Sequence, residues 1–126
     1  MKLLIDTHLL LWAAADTLPP EAIQYFCEEN ELLFSSASIW EIIIKKSINR
    51  PDFHVDAFAL YRGLLDNGYT ELYITSYHAL LVADLPLIHK DPFDRILIAQ
   101  AKAEGVSFLT SDKTLSQYSP VICIRS

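Results

Sequence analysis

Lys2-Leu3-Leu4-Ile5-Asp6 opens the chain with three large apolar residues in a row, then stops on a carboxylate. A run that is apolar on both sides of the backbone reads as a strand buried on both faces, the signature of a parallel sheet covered by helices. The same reading repeats at Glu31–Ser35, Glu71–Thr75, Val106–Thr110 and Val121–Arg125. Helix-period stretches lie between these strands. His8–Ala15 predicts a short helix, and Pro19-Pro20 opens another that runs to about Glu29. Ser36 or Ser38 caps a third to about Ile48, ended by Asn49-Arg50-Pro51. Asp56–Asp66 is helical and ends at the Asn67-Gly68 turn; Tyr77–Ala83 is a short helix stopped before Pro86. Asp91 with Pro92 starts a helix to about Ala103, Gly105 ends it, and Lys113–Gln117 forms a single turn. Strands alternating with helices predict right-handed βαβ crossovers, hence a three-layer α/β/α sandwich around a mostly parallel sheet.

The 126 residues fit one domain spanning 1–126, and 52% of them are hydrophobic, which argues against disorder. Three glycines leave no Gly-rich phosphate loop, which argues against P-loop and dinucleotide-binding readings. Cys27 and Cys123 form no metal-binding pair and read as two buried thiols in a reducing cytoplasm. No signal peptide or membrane-spanning run is apparent, so the expectation is a soluble cytoplasmic protein. The formal charge of −6 argues mildly against tight autonomous nucleic-acid binding, but says nothing against cutting it once a cation is bound.

Four carboxylates stand at the borders of apolar runs: Asp6, Glu41 within Ile39-Trp40-Glu41-Ile42-Ile43-Ile44, Asp94 at the start of Asp94-Arg95-Ile96-Leu97-Ile98-Ala99, and Asp112 after Thr110-Ser111. Desolvating carboxylates is costly, and gathering several in one place calls for a divalent cation. Asp6 and Asp112 fall at carboxyl ends of strands, where open α/β sheets bind ligands, and Glu41 and Asp94 lie on helices able to reach that rim. Each acid alone also has a structural explanation: a helix cap for Asp6, a pair with Lys45 for Glu41, a favourable helix-dipole position for Asp94, and a turn for Asp112. His8 reads as helix packing, and Arg95 either as a phosphate contact or as the partner of an acid. Lys45 and Lys46 read as a solvated helix end. Trp12, Trp40, Phe93 and Phe108 occupy core-like positions, and Thr7, Ser38 or Thr110 would position water or phosphate.

Asp6-Thr7-His8 followed by Leu10-Leu11-Trp12 resembles the opening of PIN-domain ribonucleases. Ser36-Ala37-Ser38-Ile39-Trp40-Glu41-Ile42 resembles the second acidic motif of that family, and Leu109-Thr110-Ser111-Asp112 the fourth. The most specific piece is the third, His89-Lys90-Asp91-Pro92-Phe93-Asp94-Arg95-Ile96-Leu97-Ile98-Ala99-Gln100-Ala101. Together they resemble the small toxins of VapBC-type toxin–antitoxin pairs. The resemblance implies a five-stranded parallel sheet of order 3-2-1-4-5, Mg²⁺ or Mn²⁺ as cofactor, and RNA as substrate. It also implies an antitoxin partner laid over the acidic cleft, and a homodimer. Asp6, Glu41 and Asp94 would be the main metal ligands, Asp112 a direct or water-mediated one, and Asp91 a helix cap. Ser47-Ile48-Asn49-Arg50 departs from a Gly-Lys turn found in many relatives. Two other readings remain: a catalytically inactive PIN-like binding module, and a phosphoacceptor receiver domain. The second lacks its acid, since Thr75-Ser76-Tyr77 follows the third strand.

Overall fold

A computed structural model describes residues 1–48 and 56–124. Five parallel strands form one sheet: β1 Lys2–Ile5, β2 Glu31–Ser35, β3 Thr70–Leu72, β4 Ser107–Thr110 and β5 Val121–Cys123. Their spatial order is β3-β2-β1-β4-β5, as expected. Leu4 pairs in register with Leu33 on one side and Phe108 on the other, so β1 is central. Successive residues of one strand point to opposite faces. Leu3, Ile5, Phe34 and Leu109 therefore enter one core with α1 (Thr7–Ala14), α2 (Pro20–Ile23), α3 (Ser36–Ser47) and α4 (Ala57–Asp66). Leu4, Leu33 and Phe108 enter the other, covered by α5 (Ser76–Leu81) and α6 (Pro92–Glu104). Leu3, Leu4, Ile5, Phe108 and Leu109 are all fully buried, which is why these strands are apolar without alternation.

The helices begin and end for local reasons. Asp91 Oδ1 accepts from the backbone N–H of Phe93 and Asp94, Pro92 follows at the first helical position, and Gly105 closes α6 in the left-handed region at φ 67°. α3 is capped by Ser35, one residue before the expected Ser36, and α1 begins at Thr7 rather than His8. Two element ends differ from expectation. The helix opened by Pro20 stops at Ile23 instead of Glu29, because only Ala22 on it is buried and residues 24–30 turn back to place Asn30 between Tyr25 and the N-terminus. The third strand ends at Leu72, because Thr75 leaves the sheet to cap α5. Cys27 is exposed and Cys123 half-buried, so neither is the buried thiol expected. The Asn49-Arg50-Pro51 terminator and the Arg125 end of β5 lie outside the described residues.

Candidate metal centre

The order of the strands reverses direction between β1 and β4, and a cleft opens there beyond their carboxyl ends. Asp6 extends the ladder past β1, its N–H donating to Leu109 O at 2.9 Å. Its Oδ1 accepts from Thr7 N at 2.7 Å, and its Oδ2 accepts from Thr110 Oγ1 at 2.6 Å. Thr110 Oγ1 in turn accepts from Asp112 N at 3.0 Å. One hydroxyl thus ties the acid after β1 to the acid after β4. Asp6 is both a helix cap and a member of the cleft, and its structural and site roles coincide.

Glu41 comes from α3. Ala37, Ser38, Glu41 and Ile42 make the buried face of that helix, at three- and four-residue spacing, and Glu41 is only 2% exposed. Thr7 Oγ1 lies 2.6 Å from Glu41 Oε1 and 2.9 Å from Ser38 Oγ. Lys45, one turn on, places Nζ 2.5 Å from Glu41 Oε2 and 3.6 Å from Asp91 Oδ2. The pairing of Glu41 with Lys45 is therefore real, and it lies inside the cleft rather than on a wet surface. Burial works against the Lys45 charge, but the bond to Glu41 and the charges of Glu41, Asp91 and Asp94 hold its pKa above the ordinary value.

Asp94 and Asp91 come from the start of α6. Asp94 Oδ2 lies 2.8 Å from His89 Nε2. Desolvation, then the charges of Asp6, Asp91 and Glu41, push the Asp94 carboxyl up to about 8 against the relief supplied by Lys45. Asp6 is pushed up to about 6, chiefly by burial and then by Glu41, while the bonds from Thr110 and Thr7 pull the other way. Both shifts come first from burial of the carboxyl and then from neighbouring acids, so both side chains are held in poorly hydrated, negatively charged surroundings.

All four expected acids, Asp6, Glu41, Asp94 and Asp112, line one cavity of about 390 Å³, together with His8, Trp12, Lys45, His89, Asp91 and Ser111. Within it, oxygens of Glu41, Asp91 and Asp94 lie within 4.8 Å of one another, and so do ligand atoms of His89, Asp94 and Asp112. Asp94 belongs to both groups. Carboxylate oxygens at that spacing suit a hard divalent cation with bonds of about 2.0–2.2 Å. The donor set fits the group that the acids call for.

Several readings need amendment. Asp91 caps α6 with Oδ1 but turns Oδ2 into the cleft. His89 and Lys45 belong to the site and were not assigned to it by sequence. Thr7, Ser38 and Thr110 orient the acids and one another by hydrogen bonding instead of facing water or phosphate. Among the described residues Arg95 pairs with no acid; its guanidinium donates to the carbonyls of Val82, Leu85, Pro86 and His89 and to Tyr118 Oη. Tyr118 Oη also accepts from the N–H of Ile88 and His89 and donates to Pro86 O. The pair fastens the segment that delivers His89 to Asp94. Trp40 is 58% exposed and meets Phe93 edge-on at 5.2 Å, so it is not a core residue. A larger cavity of about 750 Å³ lies near the amino ends of β2 and β3, lined largely by apolar residues such as Phe26, Leu60 and Tyr69. It holds none of the four acids.

The PIN-domain family profile matches residues 3–119. This chain belongs to the PIN-domain family. Solved structures share its fold. A chain of the VapBC2 complex from Rickettsia felis bound to a promoter DNA fragment superposes with a TM-score of 0.72 at 13% identity, over 99% of this chain and 98% of that one. A chain of DNA-bound VapBC from Salmonella typhimurium gives 0.70 at 14%, again over 99% and 98%. A chain of a toxin–antitoxin complex from Klebsiella pneumoniae gives 0.66 at 18%, over 98% of each. No curated protein matches the sequence significantly. No helix among the described residues of this PIN domain is long and apolar enough to cross a membrane.

Proposed function

We propose that this PIN domain is a divalent-metal-dependent endoribonuclease and the toxin of a toxin–antitoxin pair, acting in the cytoplasm. The observation that carries the reading is the convergence of Asp6, Glu41, Asp94 and Asp112 on one cleft at the β1/β4 reversal. Those four acids would hold Mg²⁺ or Mn²⁺: Glu41 and Asp94 gather with Asp91, while Asp94 and Asp112 gather with His89, and Asp6 lines the same cleft outside both groups. When bound, the ion supplies charge for the phosphate oxygens and an acidified water for phosphodiester hydrolysis. The chain's own residues do the positioning. Thr7 and Thr110 fix both oxygens of Asp6, and Thr7 also fixes Oε1 of Glu41, so the carboxyl groups are held in place at the cleft. Lys45 and His89 flank them and give the cleft its nitrogen donors. Water as the nucleophile removes the need for an activated serine or cysteine.

The antitoxin reading is supported by an apolar groove of about 360 Å³ between α3 and α4, lined by Ile39, Ile43, Phe58 and Tyr61. Trp40 and Phe58 stand largely exposed on those same two helices. A homodimer is supported by Tyr73, Tyr77, Leu80 and Leu87, all more than half exposed on α5 and its flanks. A receiver domain is disfavoured, since Tyr73-Ile74-Thr75 follows β3 and offers no acid to phosphorylate.

Digestion of total cellular RNA by the pure protein, with Mg²⁺ or Mn²⁺ and with chelator, tests the reading. We expect discrete new ends that vanish with chelator and in Asp6→Asn, with turnover reduced at least ~100-fold and the circular dichroism unchanged. RNA binding without cleavage in either ion points instead to an inactive binding module. Unchanged cleavage by Asp6→Asn rules out the assignment.

A further inference from the structure

We propose that Lys45 is a built-in competitor for the metal, its ammonium holding an oxygen of Glu41 that a divalent cation must win before it can bind. The inference rests on the metal-dependent reading and concerns what sets its threshold. Glu41 has two oxygens. Thr7 occupies Oε1 at 2.6 Å and Lys45 occupies Oε2 at 2.5 Å. The Lys45 side chain is 14% exposed and that of Glu41 is 3%, so water does little to weaken the pair. The same ammonium lies 3.6 Å from Asp91 Oδ2. Glu41, Asp91 and Asp94 are also the three acids whose oxygens gather within 4.8 Å. The ammonium thus touches two of the three groups best spaced to receive a cation. A dication at that point meets a fixed positive charge on its own ligand, and the two cannot share Oε2 without strong repulsion in so poorly hydrated a place. Lys45 stems from the same helical face as Glu41, one turn further on, so the competition is covalently built in. It offsets part of the carboxylate charge in the metal-free protein and raises the cation concentration needed to load the site.

The experiment titrates Mn²⁺ into chelator-stripped wild type, Lys45→Met and Lys45→Arg, following binding by calorimetry and the melting temperature. We expect Lys45→Met to bind Mn²⁺ at least about tenfold more tightly than wild type, and Lys45→Arg to stay within about threefold of it. We also expect Lys45→Met to melt lower without metal and to gain more on Mn²⁺ addition. A Lys45→Met protein that folds only with Mn²⁺ present supports the proposal equally. Equal or weaker Mn²⁺ binding by Lys45→Met overturns it while the metal-dependent reading stands, because wild type still binds. Absence of Mn²⁺ binding in every protein overturns both. Should Lys45→Met fail to fold with or without Mn²⁺, wild type decides: the Lys45 side-chain resonance in labelled protein must shift on Mg²⁺ addition, and an unmoved resonance overturns the proposal.

Discussion

Replacing Asp94 by Asn in the metal-free protein should make it more stable, by an amount that grows as pH rises from about 4 to about 8. The Asp94 carboxyl stands at about 8 in the fold against 3.8 for the free side chain, owing to burial and to Asp6, Asp91 and Glu41. A carboxyl whose pKa is raised by folding binds more protons folded than unfolded, so its contribution is fully present below pH 4 and is lost as pH rises through about 8. At 1.36 kcal/mol per pH unit the full rise corresponds to roughly 5–6 kcal/mol. The shift is shared among coupled acids, so we take about half, ~3 kcal/mol. For a domain of this size that amounts to about 10 °C in melting temperature. Asparagine keeps an acceptor for His89 Nε2 and brings no charge. The assay is thermal unfolding in chelator at pH 4 and pH 8.5, wild type against Asp94→Asn. The two proteins should differ little at pH 4, where the carboxyl is largely protonated folded and half protonated unfolded, and the variant should melt about 10 °C higher at pH 8.5. Equal melting temperatures at pH 8.5 would refute the claim that burial and neighbouring acids make an ionised Asp94 costly without a cation.

Other outcomes follow from neighbouring features. Arg95→Met removes the guanidinium that gathers four carbonyls and Tyr118 Oη, and should cost about 2–4 kcal/mol while speeding amide exchange across residues 82–89. His78 is 1% exposed, accepts from Thr75 N–H and contacts Glu104 at 2.8 Å; His78→Ala should cost about 2–3 kcal/mol in denaturant unfolding and free the start of α5. Leu4→Ala at the centre of the sheet should cost about 2–5 kcal/mol, read as a lower denaturant midpoint at constant m.

The sheet was legible in the sequence because β1, β2 and β4 are covered on both faces, and nothing but unbroken apolar runs satisfies that burial. The start and stop of α6 were legible because Asp91-Pro92 and Gly105 each answer a backbone need that few other residues meet. Less could be read where tertiary contacts overrule composition. Tyr73-Ile74-Thr75 has strand-forming residues, yet Thr75 forms a capping box whose second member is His78, in place of the usual Glu or Gln. The four acids were identified by their joint placement, Asp6 and Asp112 at strand ends, Asp94 in the first turn of a helix and Glu41 interrupting an apolar helical run. Lys45, His89 and Asp91 escaped assignment because their roles arise only when α3 and the start of α6 face each other across the cleft. The four-residue spacing of Glu41 and Lys45 and the adjacency of His89 to the Asp91-Pro92-Phe93-Asp94 stretch were the available hints. Arg95 gave no hint, since a guanidinium that binds only carbonyl and hydroxyl oxygens looks, in sequence, like one that binds an anion.

The hydroxyl that joins the two strand-end acids has a bearing on when the cleft comes into being. Thr110 is separated by 104 positions from the Asp6 it orients. A ribosome that has translated as far as α6 has already made Asp6, Glu41, Asp91 and Asp94, but β4 does not yet exist, and the oxygen facing it on Asp6 has no donor. The nascent chain therefore carries most of its acids in an unassembled state, and the cleft is completed only when β4 emerges and slides in beside β1.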